Sequence, residues 1–287
     1  GILAASCIYS VLYSGGIYLP LDMKTPAARL SFIINDAQPS FIIGLGEPPV
    51  WLENPERWLN INTLLKADAQ ATPLLPVQKE SLAAILYTSG STGKPKGVCL
   101  STNNLQEVTQ ALADSISGLG IRHHLCVMPL ATLLENIAGV YVPLLMGSSI
   151  QVEPLSALGF TQSSGFDEHR FMQCVVQTQP DSIILLPQLL TSLIDLKQCF
   201  PDSFQNLKFI AVGGGKSTQA SLEKAHALGL PVYEGYGLSE CASVVSLNNP
   251  KHNKPGSVGK VLHHTQVRIS KEGEIIVAGQ AMLGYLG

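Results

Sequence analysis

The chain has 287 residues, 46% of them hydrophobic and 14% charged, with a formal net charge of -3. That length admits one large domain or two ordinary ones, and the balance suits an α/β protein whose strands are covered on both faces. No cluster of Lys and Arg invites a nucleic-acid backbone, and six scattered cysteines without a CxxC pair read as buried, reduced thiols of a cytosolic protein rather than disulfides or a metal site.

In chain order, the uncharged run from Gly1 to Leu21 has the length of a membrane span. Gly15, Gly16 and Pro20 interrupt it, however, and no basic segment precedes it. It predicts a buried helix to about Ser14, a turn and a short strand, with no membrane span. The chain opens on Gly inside that apolar pattern, which is the look of a fragment.

Short apolar, β-rich runs then alternate with amphipathic stretches. Strands are predicted at 40–43, 82–87, 125–128, 148–152, 182–186, 207–212 and 231–233. Helices are predicted at 27–36, 102–116, 134–145, 167–177, 188–196 and 218–228. The alternation predicts an α/β fold of largely parallel βαβ sheets flanked by helices. Residues 47–76, rich in Pro, Asn and Trp, read as a surface connection. After Pro250 the texture changes, and alternating runs at 266–270 and 274–278 predict a small β-rich appendage at the C-terminal end. The expected division is into α/β portions 1–80 and 81–250 and a β-rich portion 251–287. No internal repeat is present.

The stretch with most chemistry is Tyr87-Thr88-Ser89-Gly90-Ser91-Thr92-Gly93-Lys94-Pro95-Lys96-Gly97-Val98, read as lying between an apolar strand and a helix. Its glycines let backbone N–H groups approach anionic oxygens. Thr88, Ser89, Ser91 and Thr92 add hydroxyl donors, and Lys94 and Lys96 add positive charge, a set suited to a triphosphate. It is not the phosphate loop of the P-loop NTPases, which needs Gly and Ser or Thr where this chain has Thr88 and Pro95. Gly213-Gly214-Gly215-Lys216-Ser217-Thr218 fails the same pattern, because Ile210 stands where Gly is required.

Residues 87–98 resemble the signature loop of the adenylate-forming (AMP-binding) superfamily. Further segments match in the family's order: Tyr18-Leu19-Pro20-Leu21-Asp22 with Pro26, Arg29-Leu30 and Asp36-Ala37; Gly213-Gly214-Gly215; and Tyr233-Glu234-Gly235-Tyr236-Gly237-Leu238-Ser239-Glu240. Gly256-Ser257-Val258-Gly259-Lys260 and Gly273-Glu274-Ile275 follow near the end. The resemblance implies ATP-dependent activation of a carboxylic acid as acyl-AMP with release of pyrophosphate, then transfer to a thiol of CoA or of a phosphopantetheine on an acyl carrier protein. It implies Thr88, Lys94 and Glu240 as catalytic residues, with Glu240 as the Mg²⁺ ligand. The nucleotide-binding set it implies is Thr88, Ser89, Gly90, Ser91, Thr92, Gly93, Lys94 and Lys96 with Gly213, Gly214, Gly215 and Lys216. To these it adds Glu234, Gly235, Tyr236, Gly237, Leu238 and Ser239, with the Tyr236 ring stacked on adenine.

Met128-Pro129-Leu130-Ala131-Thr132-Leu133-Leu134-Glu135-Asn136 resembles the acyl-pocket segment of fatty-acid-type acyl-CoA synthetases, which usually carry His where this chain has Thr132. Thr132, Leu133, Leu134, Ala138, Leu186 and Pro187 are the candidate substrate pocket, and their apolar character suits a fatty or aryl acid. The only acid between 128 and 136 is Glu135, so no partner for a substrate ammonium is evident there. His123-His124 and His263-His264 are read as solvated pairs pointing apart. The family's ribose-binding Asp and its mobile domain with a reactive Lys lie beyond Gly287, so the resemblance implies a large domain incomplete at both ends, nearly inactive alone. Two alternatives stay open: a degenerate, non-catalytic nucleotide- or acid-binding module, and an adenylation domain of a peptide or polyketide synthetase.

Overall fold

The computed structural model describes residues 1–67, 76–89, 94–161 and 165–287. Seven strands form its main sheet, in the order Ser149–Val152, His123–Cys126, Ser182–Leu185, Phe209–Val212, Val232–Tyr236, Ser246–Leu247 and Lys260–Val261. The first five are mutually parallel, Ser246–Leu247 runs antiparallel to them, and Lys260–Val261 runs antiparallel to Ser246–Leu247. The fold is therefore mixed α/β, as the strand–helix alternation predicted.

Side-chain alternation divides the sheet between two cores. Ile183, Leu185, Ile210, Val212 and Val232 face one side, with Phe171, Leu190, Leu193 and Leu222 of the helices Glu168–Thr178, Pro187–Cys199 and Gln219–Ala227. Phe209 and Tyr233 face the other, with Leu105, Val108, Leu112 and Ile116 of the helix Thr102–Ile116. Burial on both faces explains why these strands read as continuous apolar runs. The helices begin where side chains can satisfy their first N–H groups. Ser101 and Asn104 cap each other's backbones, Asp167 accepts from the Arg170 N–H, and Thr218 accepts from the Ser221 N–H.

A second sheet has three strands, Leu82–Ser89 pairing with Pro95–Ser101, which pairs in turn with Gly284–Tyr285. The strand Pro95–Ser101 was not among the predicted elements, so the loop after Ser89 joins two antiparallel strands and not a strand and a helix. The run Val98-Cys99-Leu100 ahead of the capping Ser101 was its signal. Within the expected connection 47–76, the described residues 47–67 hold more order than a connection, since Trp58–Asn60 pairs in parallel with Ile42–Gly44. The segment 134–145 is helical as expected, but its first part, Glu135–Tyr141, is a π-helix that passes into an α-turn at Val142–Leu145. The strands Thr265–Ile269 and Ile275–Gly279 form the expected hairpin near the C-terminal end. Among the described residues no helix is long and apolar enough to cross a membrane. Cys99, Cys126, Cys174 and Cys241 are buried free thiols, whereas Cys199 is exposed, at the last position of its helix.

Candidate active site

Loops leave the carboxyl ends of the parallel strands in a cluster, where open α/β sheets bind ligands. The strand order places His123–Cys126 between the strand that follows it and Ser182–Leu185, so the connections diverge there and a crevice opens. Val212 passes into Gly213, Gly214 and Gly215, with Gly214 at φ 75°. Tyr236 passes into Gly237, Leu238 and Ser239. A Cβ on Gly237 would sit 1.5 Å from the Ser243 carbonyl oxygen, so that turn closes only with glycine.

These loops share one cavity of about 230 Å³. Gly213, Gly214, Gly235, Tyr236, Gly237, Leu238 and Ser239 form its wall at the strand ends, and Thr132, Leu133, Leu134 and Ala138 form a wall on the π-helix side. The structure thus brings seven of the eighteen proposed nucleotide-side residues and four of the six proposed acid-side residues to a single space. Leu186 and Pro187 lie outside the lining, packed behind the glycine turn, where the Cβ positions of Gly214 and Gly215 come 2.9 and 3.5 Å from them. Among the described lining residues there is no Asp, Glu, Lys or Arg.

Glu234 is buried, and its carboxylate accepts the Ser217 N–H at 3.1 Å, which ties the glycine turn to the neighbouring strand. Lys216 is exposed. Thr88 pairs with Lys96 across the hairpin, and Lys94 is exposed beside it. Gly90, Ser91, Thr92 and Gly93, and the side chain of Ser89, lie outside the described residues. Tyr285 joins the hairpin to the Tyr-Gly motif. Its hydroxyl donates to Glu240 Oε1 at 2.8 Å, and Lys96 Nζ stands 5.1 Å from its ring centroid. Tyr18 bridges to Ala84 on the strand entering the loop and donates to Asn136 Oδ1 at 2.7 Å, while Tyr87 donates to Asp36. Burial, then Asp36, pushes the Tyr87 phenol up.

Two of the histidines read as solvated are buried: His124 is 2% exposed and His264 7%. His124 lines the cavity and holds two partners, Ser182 Oγ at 2.8 Å from Nδ1 and Glu135 Oε1 at 3.1 Å from Nε2. Glu135, fully buried, accepts the Val127 and Met128 N–H groups on its other oxygen. Cys126 donates to the Gly139 carbonyl. Ligand atoms of His124, Cys126 and Glu135 lie within 4.8 Å of one another. Burial, then Glu135, pushes the Cys126 thiol up, away from the thiolate a metal would need. Ser182, His124 and Glu135 form a satisfied hydrogen-bond network, with Cys126 bonded beside it to Gly139. No sequence pattern marks it, because its partners are 11 and 58 residues from His124.

The family model described as "AMP-binding enzyme" matches residues 4–286, and the chain belongs to that family. A 2-succinylbenzoate–CoA ligase of Listeria monocytogenes is 28% identical over 97% of this chain and 57% of its own length. A delta-poly-L-ornithine synthetase of Acinetobacter baumannii is 26% identical over 94% of this chain and 19% of its own. The solved structure of O-succinylbenzoate coenzyme A synthetase from Bacillus subtilis, in complex with ATP and magnesium ion, superposes with a TM-score of 0.81 at 21% identity. It is covered over 60% of its length by 99% of this chain, a likeness of fold. The chain spans little more than half of the CoA ligases it matches. Succinylbenzoate is an aromatic acid, so the resemblance to fatty-acid synthetases is corrected: the relatives carry no support for fatty-acid metabolism.

Proposed function

We propose that this chain is the nucleotide- and acid-binding part of an ATP-dependent ligase that activates an aryl or similarly apolar carboxylic acid as its acyl adenylate, for transfer to the thiol of CoA. One observation supports the reading above the others: a largely apolar cavity, with no Asp, Glu, Lys or Arg among its described lining residues, shares a wall with the glycine turn and the Tyr-Gly motif. A ring held there would have its carboxylate at the strand ends, beside Thr132 and Ser239, where the α-phosphate would be attacked. Tyr236 would stack on adenine, and Lys94, Lys96 and Thr88 would meet the phosphates, spreading the charge that develops in the reaction. The Glu240 carboxylate is a hard oxygen donor that fits Mg²⁺, which when bound neutralises phosphate charge. The chain's own part in catalysis is then positioning and exclusion of water.

The poly-ornithine synthetase relative favours a second reading, an amino-acid-activating domain of a peptide-forming synthetase, for which the acceptor would be a carrier-protein thiol. The amino-acid substrate that would go with it finds no carboxylate in the described lining to meet its ammonium. The test is calorimetry of Mg·ATP binding, followed by acid-dependent pyrophosphate exchange with aryl, fatty and amino acids in parallel. Exchange led by a free amino acid, or no affinity for ATP, would overturn the reading.

A further inference from the structure

Below the polar groups at the strand ends, the cavity is apolar except at its far end. Ser182 is paired with His124 on one neighbouring strand and with Phe209 on the other, and Phe209 begins the strand that ends at Val212. At ~3.3 Å per residue this row lies about 10 Å below the glycine turn. Ser182 and His124 both line the cavity, at 4% and 2% exposure. Around them the lining is hydrocarbon: Leu112, Ile116, Ile121 and Phe209.

Two buried polar groups on an otherwise apolar floor need a reason, because burying them costs free energy unless they are bonded. Their arrangement is built outward from the interior. Glu135 is fixed by the Val127 and Met128 N–H groups, it accepts His124 Nε2–H, and the oriented ring holds Ser182 Oγ through Nδ1. One Ser182–His124 bond leaves the hydroxyl with further hydrogen-bonding capacity on its cavity side.

We propose that the acid taken by this cavity carries a hydroxyl group at the end opposite its carboxylate, and that Ser182 binds that hydroxyl while His124 and Glu135 position Ser182. This rests on the acid-binding reading above. A hydroxyl fits whichever way the Ser182–His124 proton lies, since it both donates and accepts. Ser182 is the specificity-determining residue, and His124 and Glu135 are positioning residues.

The test compares 4-hydroxycinnamate with cinnamate by calorimetry, in the presence of Mg·ATP, on the parent and on Ser182→Ala and Ser182→Thr. The parent is expected to bind the hydroxylated acid about tenfold more tightly, the worth of one neutral hydrogen bond. Ser182→Ala should bring the ratio near one by weakening 4-hydroxycinnamate alone, and Ser182→Thr should keep the preference. A residue with a merely structural role would change both acids alike. Equal binding of the two acids by the parent overturns the proposal without any variant, as does a ratio that survives Ser182→Ala. If ATP binds and neither acid does, this inference fails while the nucleotide site stands. If ATP does not bind either, the ligase reading fails with it.

Discussion

The Tyr285 hydroxyl donates to Glu240 Oε1 at 2.8 Å, so a residue far along the chain holds the carboxylate proposed as the metal ligand. Tyr285→Phe removes that bond and leaves the ring beside Lys96. The Mg²⁺ concentration that half-saturates ATP binding should shift by about two- to fivefold, while affinity for metal-free ATP stays as in the parent. A titration of Mg²⁺ at fixed ATP reads this directly, and an unchanged midpoint would separate Tyr285 from the metal.

Lys94 is exposed beside the glycine-rich loop, free to meet a phosphate. Lys94→Ala should weaken Mg·ATP by about tenfold and AMP by much less, since a charge-assisted bond to an outer phosphate is lost. Calorimetry with the two nucleotides checks it, and equal losses would place Lys94 away from the β- and γ-phosphates.

Gly139 sits where a Cβ would come 2.0 Å from Glu135 Oε1 and 3.0 Å from His124 Nε2. Gly139→Ala therefore displaces a fully buried carboxylate from its partners, and a loss of about 2–4 kcal/mol is expected. Glu135→Gln keeps the shape and should cost less. Urea denaturation of both variants ranks them.

Asp181 stitches three strands at their starts, accepting the Arg122 and His123 N–H groups and an ion pair from Lys208 at 2.8 Å. Burial pushes its pKa up, but the bonds from Lys208, Arg122 and His123 together outweigh burial and hold it below the ordinary 3.8. A depressed carboxyl stabilises the fold above its unfolded value and loses that contribution as pH falls through the folded one. Asp181→Ala should cost about 2–3 kcal/mol at pH 7, leaving two N–H groups unpaired. The gap from the parent should hold down to about pH 4 and narrow below it. Melting curves across pH 7 to 3 test this, and a gap that widened in acid would contradict the sign.

Much of the fold was legible because the parallel strands are buried on both faces. Runs such as Ser182–Leu185 and Phe209–Val212 show as apolar blocks between helices whose caps, Ser101, Asp167 and Thr218, stand in the sequence. The glycine turn and the Tyr-Gly motif could be placed at strand ends because glycine marks the required geometry. Two things stayed hidden. The strand Pro95–Ser101 is anchored partly by Gly284–Tyr285, a pairing no local pattern reveals. The His124–Glu135–Ser182 chain hid for the same reason, and its π-helix is a hydrogen-bond register rather than a periodicity of residue types.

The pairing of Cys99 with Gly284 also orders events in time. Contacts between positions so distant in the chain form only after the intervening segment has condensed, since closing a long loop comes with little reward until both surfaces exist. The strand leaving the glycine-rich loop therefore waits, with one edge open, for the rest of the domain. During that interval Val98, Cys99 and Leu100 are an unpaired apolar edge, a template for association with another chain. Nascent or truncated forms lacking Gly284–Tyr285 should be the aggregating species.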